Sequence, residues 1–399
     1  MDTLFQLFSA KVHAVNTDFR RYLWHDIDWN NRLIAIIGSR GVGKTTLLLQ
    51  YIKTTFGNNL ADVLYVSLDN IYFSKTRLSV FVDNFVKRGG RFLFLDEVHK
   101  YPEWSLEIKN IYDNYPDLSI VFTGSSALDI FKGHADLSRR LLTYTLYGLS
   151  FREFIALKYH HELPIFSLDD ITQKAADISS IMMPIIKPIK LFEEYQRFGY
   201  YPFFIEDEKN YSQRLLQTID QILENDLPAA VARIDYSAIY TLRTLFAVLA
   251  ESVPFKPNML KLSKQIGIDR DTLLKYMNLL AKAELLLLLH SDTYGVSRLN
   301  KPDKIYLNNA NLMYALAEDA MNLGTMRETF FYNQARVRHT VHDTDKGDFL
   351  VDRTFVFEVG GKNKKQKQIA GVQNAYIAAD NIEYPFQNII PIWMFGFLY

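Results

Sequence analysis

A glycine-rich segment has the residue types and the spacing that phosphate binding requires. It lies between the apolar run Leu33–Ile37 and the helix-prone residues 47–50, and its residues are Gly38, Ser39, Arg40, Gly41, Val42, Gly43, Lys44, Thr45 and Thr46. In the pattern G-x-x-x-x-G-K-[ST], the glycines let backbone N–H groups surround phosphate oxygens, and the dipole of the following helix favours the same anion. The segment therefore predicts a nucleoside triphosphate site in which Lys44 reaches the β- and γ-phosphates and Thr45 ligates Mg²⁺.

Two acidic residues, Asp96 and Glu97, directly follow the apolar residues 92–95. Hydrolysis of a phosphoryl group needs a carboxylate near Mg²⁺ and a group that polarises the attacking water. A strand that ends in two surface acids would have the same sequence. Because this apolar run is the next but one after the phosphate loop, we assign Asp96 to the metal and Glu97 to the water.

Polar and basic residues near two later strand ends are further candidates for this site. Thr123 and Ser125 follow the apolar run 118–122 and would sense the γ-phosphate or the water, or else form an ordinary polar turn. Arg139 and Arg140 precede the run 141–146, and either one could reach the γ-phosphate of a neighbouring subunit as an arginine finger. A finger would require a homo-oligomer, and the alternative is a solvated or salt-bridged pair.

The composition of the 399-residue chain excludes several classes of protein. Hydrophobic residues make up 48% of the chain, which is enough for buried cores and excludes global disorder. Lys+Arg and Asp+Glu both number 45, so the chain is not polybasic. The absence of cysteine excludes disulfides, thiolate zinc sites and a cysteine nucleophile. We see no signal peptide and no membrane-length apolar stretch, and therefore expect a cytoplasmic protein without a membrane partner.

Apolar runs alternate with helical stretches at 33–37, 63–68, 92–95, 118–122 and 141–146. Nearly all-apolar strands are typical of a parallel sheet buried on both faces, so we predict an α/β fold with flanking helices. Residues 151–250 have mostly helical patterns, with a linker-like stretch at 164–190. We divide the chain into a P-loop domain with a helical lead-in (1–155), a helical lid or linker (156–250), a winged-helix-like module (251–310) and an α/β domain (311–399).

Together these residues resemble a family of AAA+-type ATPases of bacteria and archaea that carries a restriction-nuclease-like C-terminal domain of unknown function. The matching motifs are the phosphate loop, Phe-Leu-Asp-Glu at 94–97, Phe-Thr-Gly-Ser-Ser at 122–126, Leu-Ser-Phe-Arg-Glu-Phe at 149–154, Phe-Glu-Val-Gly-Gly-Lys at 357–362 and Ile-Pro-Ile-Trp-Met-Phe-Gly at 390–396. The resemblance implies an AAA+-like fold and the binding and hydrolysis of ATP, with Lys44, Thr45, Asp96 and Glu97 in the family's roles. It implies no particular biological role.

Residues 262–283 contain two short amphipathic patterns around a glycine turn, with Asp269 as the N-cap of the second helix. The apolar residues that fit one buried face are Leu262, Ile266, Leu273, Tyr276, Leu279 and Leu280. With residues 285–289 as a following strand, this is the pattern of a winged helix, whose second helix enters the major groove of DNA. The cations available for DNA phosphates are Lys264, Arg270, Lys275 and Lys282. A spacer or a domain that binds an unknown protein partner is the alternative.

The C-terminal region contains part of a restriction-type nuclease site. Such nucleases place an acid on one strand, and on the next strand an acid followed two residues later by a lysine; the carboxylates bind Mg²⁺. Asp348 and Glu358 fit the two acids, and Glu328 is a third candidate, but Gly360 occupies the position of the lysine. Lys362 lies about 13 Å beyond Glu358 along an ideal strand at ~3.3 Å per residue. We therefore expect an inactive nuclease-like domain, unless a bend at the glycine pair returns Lys362 to the site.

The sequence favours one function and leaves two alternatives. We expect an ATP- and Mg²⁺-dependent ATPase whose nucleotide cycle controls C-terminal domains that bind nucleic acid or protein. The alternatives are an ATP-regulated DNA nuclease of a defence type and a nucleotide-gated scaffold without useful turnover. The intact acid pair favours the ATPase over the scaffold, and the misplaced lysine favours it over the nuclease.

Overall fold

The structure is a computed structural model that describes residues 2–124, 137, 139–230, 236–252, 256–292, 301–317 and 322–399. The chain divides into two compact units. The first comprises Met1–Tyr147 and Gln221–Asp235, and the second comprises Gly148–Asp220 and Tyr236–Tyr399. Residues 221–230, which the sequence assigns to the helical region 156–250, therefore fold with the first unit, while the division into four domains stays a prediction.

The first unit is built around a five-stranded parallel sheet. Its strands are β1 (Leu33–Ile37), β2 (Val63–Ser67), β3 (Phe92–Asp96), β4 (Ser119–Gly124) and β5 (Leu142–Thr145). Each corresponds to one of the five predicted apolar runs, and the order in the sheet is β2-β3-β4-β1-β5. Every residue of β1 is buried, as expected for a strand covered on both faces. Because β4 lies between β1 and β3, the polar residues that follow these three strands meet at one edge of the sheet.

Helices connect β1 to β2, β2 to β3 and β3 to β4, as crossover connections between parallel strands require. The α-helices of the first unit are Asp2–Ala14, Lys44–Phe56, Leu78–Lys87, Trp104–Asn114 and Leu227–Ala230, and a π-helical turn covers Ile222–Asp226. The helix Leu78–Lys87 shows why they pack on the sheet: its apolar residues recur three and four positions apart, and Leu78, Phe81, Val82 and Phe85 are buried. Within the described ranges, no helix has the length and apolar character needed to cross a membrane.

The second unit begins with a helical region. Its described α-helices are Phe151–Tyr159, Leu168–Gln173, Ala175–Met182, Pro188–Phe198, Tyr211–Gln221, Tyr236–Ser252, Met259–Ile266, Arg270–Lys282, Ala310–Ala317 and Leu323–Ala335. The prediction of a linker at 164–190 is wrong, since two of these helices lie there. The polar residues that suggested a linker instead form a capping box, in which Ser167 and Asp170 satisfy each other's backbone N–H groups.

A helix pair, Met259–Ile266 and Arg270–Lys282, is followed by a two-stranded antiparallel sheet. The turn between the helices passes through Gly267 at φ 79°, and the Asp269 side chain accepts hydrogen bonds from two N–H groups of the next helix, which confirms the predicted cap. The sheet pairs β6 (Leu286–Leu289) with β7 (Lys304–Leu307). The sequence places Tyr276 on the buried face of the second helix, but Tyr276 is only half-buried and its neighbour Met277 is buried instead. Whether this module is a winged helix stays a prediction.

A five-stranded mixed sheet closes the second unit. Its strands are β8 (Val341–His342), β9 (Phe349–Val351), β10 (Phe355–Gly361), β11 (Ala375–Asp380) and β12 (Ile389–Pro391), in the order β12-β11-β10-β9-β8. The alternative of a bend at Gly360 and Gly361 does not occur within β10. Both glycines continue β10 because they pair in parallel with Ala379 and Asp380 of β11.

Candidate functional site

The phosphate loop lies between β1 and the helix Lys44–Phe56, and its glycines are required by the local geometry. A side chain at Gly38 would place its Cβ 2.2 Å from the carbonyl oxygen of Leu146. Gly43 has φ 96°, a left-handed conformation that other residues rarely adopt. Arg21 supports the loop from outside, because its guanidinium donates to the Val42 carbonyl at 2.5 Å.

Lys44 is folded into the loop that precedes it. Its ammonium group is buried and donates to the carbonyl oxygens of Gly38 at 3.0 Å and Ser39 at 2.9 Å. Burial lowers the pKa of Lys44, while the nearby charges of Glu97 and Asp96 oppose that shift. Phosphate oxygens bound in the loop would give this cation partners of full negative charge.

Asp96 is the centre of a buried hydroxyl network at the end of β3. Thr45 Oγ1 and Tyr65 OH each donate to Asp96 Oδ2 at 2.7 Å, and Thr123 Oγ1 donates to the other carboxylate oxygen. The structure thus brings together three predicted residues, Thr45, Asp96 and Thr123. A hydroxyl and a carboxylate are the oxygen donors that Mg²⁺ takes in nucleotide sites. Tyr65 is an addition that the sequence did not reveal; burial, and then the Asp96 charge, raise the pKa of its phenol.

Glu97 stands beside a buried histidine. Its backbone has φ 53°, and its N–H donates to Thr123 Oγ1 at 3.1 Å, which fixes the turn after β3. Burial raises the pKa of the Glu97 carboxyl, while the Lys44 charge opposes that shift. His99 Nε2 lies 3.4 Å from Glu97 Oε2. Burial lowers the pKa of His99 to about 4, so the ring is neutral at physiological pH. His99 therefore contacts the proposed water-polarising acid, a role that one isolated histidine in the sequence did not indicate.

Exchanging His99 for glutamine should reduce the pH dependence of folding. Because the ring titrates at about 4 in the folded chain and ordinarily at 6.5, the unfolded chain binds the extra proton as the pH falls between these values. The parent should therefore lose about 2 kcal/mol of unfolding free energy between about pH 7 and pH 5 through this group. Denaturant unfolding at both pH values should show that the loss is absent in His99→Gln. Equal pH dependence in parent and variant would contradict a buried neutral ring.

The other residues predicted for this site are Thr46, Ser125, Arg139 and Arg140. Thr46 is exposed on the first turn of its helix. Ser125 lies outside the described residues. Arg140 donates through Nε and Nη2 to the two carboxylate oxygens of Asp113, at 3.0 and 3.2 Å. Arg139 is exposed with φ 73°, so of the two predicted finger arginines it is the one whose side chain is exposed.

In the second unit, Lys364 rather than Lys362 contacts the buried acid of β10. Glu358 is fully buried, and Lys364 Nζ lies 2.5 Å from its Oε1. Lys362 is exposed. The correction has a local cause, since a tight turn in which the Lys364 N–H donates to the Gly361 carbonyl brings the chain back over the strand. Gly360 leaves the space for it, because a Cβ there would lie 2.7 Å from the Lys364 side chain.

The two other predicted acids lie on neighbouring elements. Asp348 Oδ2 accepts a hydrogen bond from the Val359 N–H at 2.8 Å, which ties it to the strand of Glu358. Glu328 Oε2 accepts from Tyr306 OH at 2.7 Å. Burial, and then the charge of Asp348, raise the pKa of Glu328 to about 7. Over the part of the chain that the structure describes, no three acidic or histidine side chains are grouped so that they could hold a metal ion together.

Comparisons with known proteins agree with this reading of the first unit. Residues 30–155 match the model of a family described as an AAA domain, and residues 189–323 match a domain of unknown function (DUF8612). Among curated proteins, none matches this chain.

Two solved structures with similarity to the chain are those of a DnaA and a PCH-2 protein. AMPPCP-bound DnaA from Aquifex aeolicus is 15% identical, with 64% of this chain and 83% of that chain covered and a TM-score of 0.27. PCH-2 from C. elegans is 17% identical, with 69% and 67% covered and a TM-score of 0.23. The phosphate loop, the acid pair after β3 and the strands of the parallel sheet therefore all lie in the segment, residues 30–155, that matches the AAA domain family.

Proposed function

We propose that the chain binds ATP with Mg²⁺, hydrolyses it, and uses the nucleotide cycle to control its C-terminal domains. The observation that carries this proposal is the hydrogen bond between Thr45 and Asp96, which joins the end of the phosphate loop to the end of β3. That contact supports the assignment of Thr45 and Asp96 to Mg²⁺, and Lys44 and Glu97 are their neighbours in the sequence.

Each group has a defined task in this reaction. Lys44 binds the β- and γ-phosphates, and the residues that would hold Mg²⁺ are Thr45 and Asp96. When bound, Mg²⁺ neutralises developing charge on the phosphates. Glu97 accepts the hydrogen bond of the attacking water, and the neutral ring of His99 helps to hold that carboxylate in place. Thr123 orients both acids, since it donates to Asp96 and accepts from the Glu97 N–H.

A phosphate-release assay tests the proposal. Release from ATP should require Mg²⁺ and should disappear with EDTA. A nucleotide-gated scaffold would bind ATP without releasing phosphate.

If Arg139 acts on the next subunit of a homo-oligomer, the rate of phosphate release per chain should rise with protein concentration. The phosphate-release assay with and without DNA tests whether DNA bound to the helix pair changes the rate of ATP hydrolysis. The helix pair has four exposed cations: Lys264, Arg270, Lys275 and Lys282.

The contact of Lys364 with Glu358 supports a second candidate function, the cleavage of a phosphodiester in nucleic acid. Glu358 and Asp348 would hold Mg²⁺, and Lys364 would replace the lysine that Gly360 lacks. A cavity of about 590 Å³ adjoins this lysine, and its lining has cationic and amide side chains but no acid: Arg327, Gly361, Lys362, Asn363, Lys364 and Asn381. Such a lining suits phosphate oxygens.

Replacing Lys364 with methionine should therefore abolish any Mg²⁺- or Mn²⁺-dependent cleavage of DNA by this chain. The lysine that steadies the attacking water or the scissile phosphate would be lost, and a rate loss of at least about 100-fold is expected for such a group. Lys362→Met is the matched control, because that side chain is exposed and should affect cleavage little. Gel assays on linear DNA would show the difference. Cleavage that survives Lys364→Met and Glu358→Gln would assign it to a contaminant.

A further inference from the structure

A carboxylate from a late segment of the chain is buried within the first unit. Asp226 is the last residue of the π-helical turn Ile222–Asp226, and the short helix Leu227–Ala230 follows. Pro228 has no N–H to donate, so the α-helical hydrogen-bond ladder cannot continue unchanged through this point. Turns of this kind occur frequently at functional sites. The side chain of Asp226 is only 2% exposed, which is unusual for an acid and requires compensating cations.

Two cations of the nucleotide site provide this compensation. Arg40 Nη1 donates to the two carboxylate oxygens of Asp226 at 3.3 and 3.4 Å, and Lys100 Nζ donates to Oδ1 at 2.8 Å. Arg40 belongs to the phosphate loop, and Lys100 follows the acid pair by three residues. The side chains of Arg40 and Lys100 remain 39% and 27% exposed, so a ligand can still reach both cations.

The charge of Asp226 also acts on the two groups proposed to bind phosphate and water. Burial lowers the pKa of Lys44, and Asp226 is among the acids that oppose this shift. Burial raises the pKa of Glu97, and Asp226 adds to that shift. Asp226 is thus electrostatically part of the nucleotide site, although it lies more than a hundred residues after the phosphate loop in the sequence.

We propose that Asp226 is a positioning residue that holds Arg40 and Lys100 and competes for them with the γ-phosphate of ATP. The inference rests on the proposed nucleotide function. A phosphate carries more negative charge than a carboxylate and accepts the same hydrogen bonds from arginine and lysine, so the two cations exchange partners when a γ-phosphate is present. ADP lacks that group and leaves the ion pairs of Asp226 in place.

This exchange gives the segment around Asp226 two states. With ADP it is tied to the phosphate loop through Arg40, and with ATP that tie is released. The chain enters the segment from Asp220 and leaves it toward Tyr236, both of which belong to the second unit. The contacts of the segment around Asp226 therefore depend on the γ-phosphate. Both of its ends continue into the second unit.

Calorimetric titration of the full chain with ATP and with ADP, in Mg²⁺, tests the inference by the sign of the change. In Asp226→Asn the cations lose their competing anion, so the affinity for ATP should rise about tenfold while that for ADP stays nearly constant. Lys100→Gln should do the reverse and weaken binding of ATP more than that of ADP. Asp83→Asn is the matched control, since it removes a surface partner of Lys87 in the same unit.

The outcomes separate this inference from the proposed function. A parent that does not bind ATP would overturn both. A parent that binds ATP, with an Asp226→Asn variant of equal or lower ATP affinity, would overturn only the role of Asp226. The gain from Asp226→Asn should disappear when Arg40 and Lys100 are both glutamine, and a gain that persists there would also overturn it. If Asp226→Asn fails to fold, Asp226→Ser replaces it in the same titration, and an ATP affinity equal to or below that of the parent would overturn the role of Asp226.

Discussion

Replacing Lys44 with alanine should abolish tight binding of ATP while leaving the fold intact. The ammonium group is the loop's principal side-chain cation for the β- and γ-phosphates, and charge-assisted hydrogen bonds contribute about 1.5–3 kcal/mol each. Its loss should weaken ATP binding by at least about 100-fold. The variant should unfold at nearly the parental temperature. Lys44 is not an apolar group of the core, and burial disfavours its charged form, as its lowered pKa indicates. Calorimetric titration with ATP and thermal unfolding measure the two quantities.

Lys87→Ala is the control for this experiment. Lys87 lies in the same unit, its side chain is 70% exposed, and its ion pair with Asp83 is on the surface. Removing it should leave ATP affinity unchanged, since surface pairs of this kind contribute little. An ATP affinity in Lys44→Ala equal to that of the parent would refute the assignment of the phosphate loop.

The central sheet could be predicted from the sequence because its strands carry their own signal. A strand buried on both faces must be apolar along its whole length, so each run of this type identified a strand within two residues at either end. The linker prediction at 164–190 failed for the opposite reason. Ser167 and Asp170 are typical of loops and of helix starts alike, and only the capping contacts they make in the fold distinguish the two.

The nucleotide site was predictable only as far as a local motif describes it. Lys44, Thr45 and Asp96 belong to such motifs, and β4 between β1 and β3 brings Thr123 to them. Asp226 joins the site through a segment that returns to the first unit after residue 220, and no local pattern encodes that return.

The acid and lysine of the second unit show a related limit. The regular spacing of a strand places the expected lysine two residues after Glu358, and that position is Gly360. It could not anticipate that a turn after β10 brings Lys364 back along the strand. A lysine therefore contacts Glu358 from a later position in the sequence, and Gly360 leaves the space that its side chain occupies.

Replacing Glu97 with glutamine should separate ATP binding from hydrolysis. Glutamine has the same shape, and the backbone contact of residue 97 with Thr123 is unaffected, so the turn after β3 and the magnesium donors should stay in place. An amide cannot accept the proton of the attacking water, and the loss of such a base lowers rates by about 10²–10⁴-fold. We expect the variant to bind ATP like the parent in calorimetry and to release phosphate at least about 100-fold more slowly.

The pH dependence of the parent gives this prediction an independent readout. Burial raises the pKa of Glu97, so the carboxylate is lost at a higher pH than for an ordinary glutamate, and phosphate release should fall as the pH drops through that raised value. The residual activity of Glu97→Gln should lack this acidic limb. Glu103→Gln is the matched control, because Glu103 is an exposed acid at a left-handed position of the same connection and should keep the parental profile. Turnover in Glu97→Gln equal to that of the parent would remove Glu97 from the mechanism and leave the phosphate loop and Asp96 as a site that only binds nucleotide.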